Sequence, residues 1–177
     1  MKKMLIIFLL LVSATILNAQ FIHGYSIETR KHYRLASVKQ GIDPGNAGFS
    51  FGVSAISKLH TFHITPGIEF GTHTISNYLG VSLGASKTLL QTNAGLDLEA
   101  GIKSLQGTAL FQQKLLYLFG FMAETSLGYS FPGKNRIAVF IDLGYMNSPA
   151  YSYYSNTNAF FDLHAGLRYC FRRDLHD

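Results

Sequence analysis

An all-β fold, an antiparallel eight-stranded up-and-down barrel that spans a membrane, is what this 177-residue sequence predicts. Four observations carry the prediction. Eight segments after Gln20 alternate apolar and polar residues, the period of two that marks a strand with one greasy face. The chain is 47% hydrophobic and only 14% charged, against ~25% charged in an average soluble domain. Beyond the N-terminus, no run approaches the ~20 consecutive apolar residues of a membrane helix. Finally, acidic side chains within the segments keep to the polar face. Transmembrane barrels spread their hydrophobicity by alternation in this way.

The chain opens Met1-Lys2-Lys3, runs apolar from Met4 to Leu17 and ends that run Asn18-Ala19-Gln20. A charged start, a short apolar stretch and a small residue predict a secretory signal peptide over 1–19, with the barrel domain over 20–177. A retained N-terminal anchor is the alternative. The sole cysteine, Cys170, excludes a disulfide framework within the monomer. Net charge is +5, falling to +3 without Lys2 and Lys3, too mild to argue for nucleic acid as a partner.

The weakest strand is the first, Phe21 to Arg30, where Tyr25 and Ile27 alternate with Gly24, Ser26, Glu28 and Arg30. A basic connection follows, Lys31 to Ala47, with Asp43-Pro44-Gly45-Asn46 as its turn. Strand two, Gly48 to Ser57, sets Phe49, Phe51, Val53 and Ala55 on one face. Strand three, Thr61 to Gly71, opposes Phe62, Ile64, Pro66, Ile68 and Phe70 to His63, Thr65, Gly67 and Glu69. Strand four, Ile75 to Ser86, opposes Leu79, Val81, Leu83 and Ala85 to Tyr78, Gly80, Ser82 and Gly84. Strand five, Thr92 to Lys103, carries Asp97, Glu99 and Lys103 on its polar face. A longer connection, Ser104 to Lys114, is expected next, with scope to extend both neighbouring strands. Strand six spans Leu115 to Ser130 and holds Glu124. Strand seven, Arg136 to Met146, sets Ala138, Asp142 and Gly144 against Ile137, Val139, Ile141, Leu143 and Tyr145. After a Tyr-, Ser- and Asn-rich stretch, Asn147 to Asn158, the eighth runs from Ala159 to Phe171.

Connections therefore read long, short, short, short, long, short, long, the asymmetry of short turns inside and long loops outside. An even strand number puts both termini on the periplasmic side. Pairing of His32 to Val38 as a strand extension is open, and with it a ten-strand count.

Seven acidic residues, Glu28, Glu69, Asp97, Glu99, Glu124, Asp142 and Asp162, share the polar faces with Arg30, Lys103, His164 and Arg168. No Asp, Glu, Lys or Arg is expected on an apolar face, where Arg or Lys at mid-bilayer costs ~2–4 kcal/mol. An eight-stranded lumen is only wide enough for its side chains, so these residues should form a buried ion-pair network, with polar-face glycines leaving room for long neighbours. A soluble sandwich or lipocalin-like barrel would invert this geometry and expose a surface of Gly and Ser with few charges.

The last strand ends His164-x-Gly166-x-x-Tyr169-x-Phe171, which resembles the C-terminal β-signal of bacterial outer-membrane barrels, polar-x-Gly-x-x-hydrophobic-x-aromatic. With the alternation, the mature length resembles the small OmpA- and OmpX-type barrels. That resemblance implies outer-membrane lipid and the barrel-insertion machinery as partners, with Gly166, Tyr169 and Phe171 as the insertion signal. It implies a structural protein or an accessory subunit of a larger cell-envelope complex. Fold does not settle function, and the alternative is an outer-leaflet lipid-modifying or lipid-binding enzyme. The lipid A deacylase pattern, His-x-Ser-Asn, is similar to Thr72-His73-Thr74-Ile75-Ser76-Asn77, yet His73 and Ser76 stand three apart and should face opposite sides of one extended strand. No catalytic residue is expected. His63 and His164 with Glu69 or Asp162 lack ligand-like spacing, so neither a metal nor another cofactor is expected. Leu116, Leu118, Met146 and Phe160 are apolar at inward positions, a candidate apolar pocket or the seat of a folded-in loop. Tyr151, Tyr153 and Tyr154 suit contact with a protein or glycan. Tyr129, Tyr169 and Phe171 are expected in an inner aromatic girdle, and Phe70, Tyr117 and Tyr145 in an outer one.

Overall fold

A computed structural model describes residues 22–35, 42–59, 61–73, 76–132, 135–149 and 159–172. Eight strands follow one another: β1 (Ile22–Leu35), β2 (Ile42–Leu59), β3 (Phe62–His73), β4 (Ser76–Gln91), β5 (Leu96–Phe111), β6 (Lys114–Ser130), β7 (Arg136–Asn147) and β8 (Ala159–Arg172). Each pairs antiparallel with its sequence neighbours, and β1 pairs with β8 from Gly24↔Arg172 to Leu35↔Phe161. The sheet therefore closes into a barrel with no free edge. The expected leader at 1–19 and Tyr151, Tyr153 and Tyr154 lie outside the described residues.

Several strands run further than the alternation alone predicts. His32 to Leu35 continue β1 by pairing with Gly48 to Ile42, so the basic stretch is strand rather than a separate hairpin, and eight strands complete the ring. The expected long connection between strands five and six is corrected to a two-residue turn. Pairing continues to Phe111↔Lys114, and Gln112 and Gln113 turn the chain with φ of 46° and 64°. Pairing between the two strands satisfies backbone N–H and C=O groups along the way, which favours a long hairpin over a loop.

Alternation sorts the wall into two surfaces. Outward stand Phe51, Ile68, Ile102, Phe121, Ile141 and Leu167, among other exposed large apolar residues. Tyr129 packs edge-on to Phe131 and Tyr169 to Phe171 at the end bearing the termini, and Tyr145 to Phe161 at the other end. One expectation fails: lysine does reach the outward face. Strand extension places Lys31 and Lys87 there, exposed, with their ammonium groups 5.2 Å from the Tyr33 ring and 5.8 Å from the Phe62 ring. Long stems of this kind carry a charge along an apolar wall towards its rim.

Candidate functional site: the filled interior

The two ends of the barrel differ. One, the terminal end, carries Ile22, Arg172 and the turns at 60–61, 92–95 and 131–135. The other, the loop end, carries the connections 36–41, 74–75, 112–113 and 148–158. Inward side chains fill the space between in successive layers.

At mid-barrel a ring of opposite charges crosses the lumen. The Arg30 guanidinium pairs with Glu28 and donates to Glu69 at 2.7 Å, with Asp142 at 3.6 Å. Lys103 lies 3.3 Å from Glu28 and 3.1 Å from Glu69. Arg168 donates through Nε to Glu28 at 2.6 Å and grips Glu124 with both terminal nitrogens, each at 2.6 Å. Planar guanidinium forks suit this two-pronged pairing, and charge-assisted bonds of this length are the strong ones. Phe140 points inward, with the Arg30 and Arg168 guanidiniums each 4.9 Å from its ring centre, a cation–π contact with both.

Towards the terminal end, Arg136 makes a bidentate pair with Asp97 and lies 3.5 Å from Glu99, which is 3.4 Å from His63. Here Gly128 leaves room for the guanidinium: a Cβ on it would fall 2.4 Å from the Arg136 nitrogens, which would have to shift. Asp97, Glu99, His63 and Arg136, with Lys58 and Cys170, line an open-mouthed cavity of about 760 Å³.

Towards the loop end the character changes. Tyr78 donates to Glu69 at 2.7 Å and lies over Gly71, where a Cβ would fall 2.3 Å from the phenol ring. Beside it, His32 and His164 stand directly opposite each other across the β1–β8 seam, ring centres 4.2 Å apart. Asp162 lies 3.6 Å from His32 Nδ1 and 3.2 Å from His164 Nε2, and Asp142 lies 3.7 Å from His164 Nδ1. Filling the rest of this end is an apolar cluster of Tyr78, Leu105, Ala109, Phe111, Leu118, Met122 and Met146. Leu116 packs against it. Of the four residues marked for an apolar pocket, Leu118 and Met146 are therefore 1% and 3% exposed within packed side chains. Phe160 is paired with Met146 across β7–β8, and its side chain lies outside the described residues.

The predicted charged residues thus come together: Glu28, Arg30, Glu69, Lys103, Glu124, Asp142 and Arg168 at mid-barrel, Asp97 and Glu99 at the terminal end, Asp162 and His164 towards the loop end. Residues absent from that set also matter. Arg136 begins its strand, and His32 sits in the stretch read as a connection, so neither fell within a strand's clear alternation. A pattern test of β1 carried four residues further would have found His32 inward. Tyr169 and Phe171 lie on β8 towards the terminal end, and Gly166 lies at mid-barrel opposite Arg30, where a Cβ on it would fall 2.1 Å from the Thr29 carbonyl.

The facing argument about His73 and Ser76 needs correction. β3 and β4 turn over at 74–75, so these residues are paired across the hairpin instead of following one another along one strand. Their side chains lie outside the described residues.

No family model and no curated protein matches the sequence. Among solved structures, the crystal structure of Neisserial surface protein A is similar at 15% identity and a TM-score of 0.49, covering 83% of this chain and 97% of that one. Ail, the attachment invasion locus protein of Yersinia pestis, crystallised with the heparin analogue sucrose octasulfate, is similar at 12% identity and a TM-score of 0.24, covering 84% and 97%. The closed eight-strand ring of this chain stands on its own strand pairing.

Proposed function

We propose that the chain is a non-enzymatic integral barrel of the bacterial outer membrane, a structural protein or an accessory subunit of a larger cell-envelope complex. The observation that supports this most is the inversion of surfaces. Glu69, Asp142 and Asp162 are 1% exposed or less, whereas Ile68, Ile102 and Ile141 are 60% exposed or more. In water that arrangement would forfeit ~25 cal/mol for every Å² of apolar wall left wet while confining charges to the interior. In lipid it is the favourable one. Both termini then face the periplasm, and the connections 36–41 and 148–158 face outwards. Gly166, Tyr169 and Phe171 serve as the insertion signal after removal of the leader. Paired charges and the apolar cluster fill the lumen, so the barrel conducts poorly.

Purification from membranes in mild detergent tests this reading. We expect heat-modifiable migration on gels, a co-eluting envelope protein, and lipid A of unchanged mass in a deletion strain. A chain that fractionates without detergent overturns the membrane placement. A lone monomer overturns the subunit role, and altered lipid A overturns the non-enzymatic one.

A further inference from the structure

We propose that His32, His164 and Asp162 bind a divalent transition-metal cation of the zinc class, clipping the first strand of the barrel to the last. All three are buried, and one ligand atom from each lies within 4.8 Å of the others. The spacings are those of ligands around an ion. Zinc holds nitrogen and oxygen ligands at ~2.0–2.2 Å, which places neighbouring corners of a tetrahedron ~3.3–3.5 Å apart. Here Asp162 Oδ2 stands 3.2 Å from His164 Nε2 and 3.6 Å from His32 Nδ1. Hydrogen bonds of N–H to oxygen cluster at ~2.9–3.0 Å.

A second observation comes from His164 itself. It is 0% exposed, and its Nε2 faces Asp162 Oδ2 at 3.2 Å without the geometry of a hydrogen bond. A metal ion shared by Nε2 and this carboxylate accounts for that approach. The outer groups match as well. With Nδ1 of His32 given to the metal, its Nε2–H donates to Ser50 Oγ, 2.7 Å away. Asp142, 3.7 Å from His164 Nδ1, stands where a carboxylate orients a metal-bound histidine.

Two imidazoles and one carboxylate favour zinc over calcium or magnesium, which take oxygen ligands.

The ligands meet only when β1 pairs with β8, so the ion loads as the ring closes. The test is therefore refolding of the full chain in detergent with zinc or cobalt(II), followed by gel filtration and elemental analysis. We expect one metal per folded barrel, with the visible absorption of tetrahedral cobalt. His164→Asn and His32→Gln should abolish uptake, and Asp142→Asn should weaken it about ten- to hundredfold, while His63→Gln retains it. Should a ligand variant fail to fold, the wild type still decides: a chelator present during refolding should lower the temperature of gel-shift unfolding. Folded wild-type barrel without metal, or folded His164→Asn with equal uptake, overturns the proposal.

Discussion

The loop half and the terminal half of the lumen solve one problem in opposite ways. Towards the terminal end, Arg136, Asp97 and Glu99 are 3–6% exposed and border, with His63, a cavity of about 760 Å³ open at its mouth, so some water reaches them. Towards the loop end, Asp162, His164 and His32 are 1% exposed or less, and His32 meets Tyr78 of the apolar cluster. There, water is withdrawn from the charges. The mid-barrel ring of Arg30, Lys103 and Arg168 marks the boundary. An interior charge is tolerable wherever it has either water or a well-placed partner, and the cost of losing a partner rises as water is withdrawn.

Three substitutions sharpen that contrast. The largest loss should follow Arg30→Ala, which strips partners from Glu28, Glu69 and Asp142 together. Breaking a buried pair from one side costs ~3–5 kcal/mol, to be measured by denaturant unfolding in lipid vesicles. Next comes Leu118→Ala in the apolar cluster, where removing a buried leucine costs ~2–5 kcal/mol depending on how far the site collapses. The same assay reads it, and a bilayer conductance recording should remain near silent because the charged ring below is intact. The smallest loss should follow Arg136→Ala, ~1–3 kcal/mol: Arg136 and Asp97 are buried at 3% and 5% exposure, but the adjoining cavity leaves room for water to replace part of the guanidinium's contact. An Arg136→Ala cost equal to that of Arg30→Ala would erase the distinction between the halves.

Which residues face inward was legible from alternation, because a strand's side-chain period of two leaves no freedom once one face is apolar. Glu69, Asp97, Glu124, Asp142 and Asp162 were all placed in this way. The failures have a physical cause too. Lys31 and His32 sit where polar composition mimics a loop, yet β2 supplies backbone partners that keep the chain extended. The stretch 104–114 reads as a connection for the same reason. Pairing of Ser104 to Phe111 with Phe121 to Lys114 makes it a hairpin. Phe140 illustrates a third kind of miss: an aromatic at an inward position looks out of place until two guanidiniums appear beside its ring.

By itself, then, the sequence determined the two-faced wall and most of the inward set of charges, since these depend only on local periodicity and on apolar burial, while ring closure decided the strand count between eight and ten. Partnership was decided by closure. Glu28 meets Lys103 and Arg168, 75 and 140 residues away, because the register of eight strands and the β1–β8 seam set the height of each inward side chain. His32 stands against His164 for that reason alone. Distances across a closed ring are a property of the whole ring, and no segment carries them.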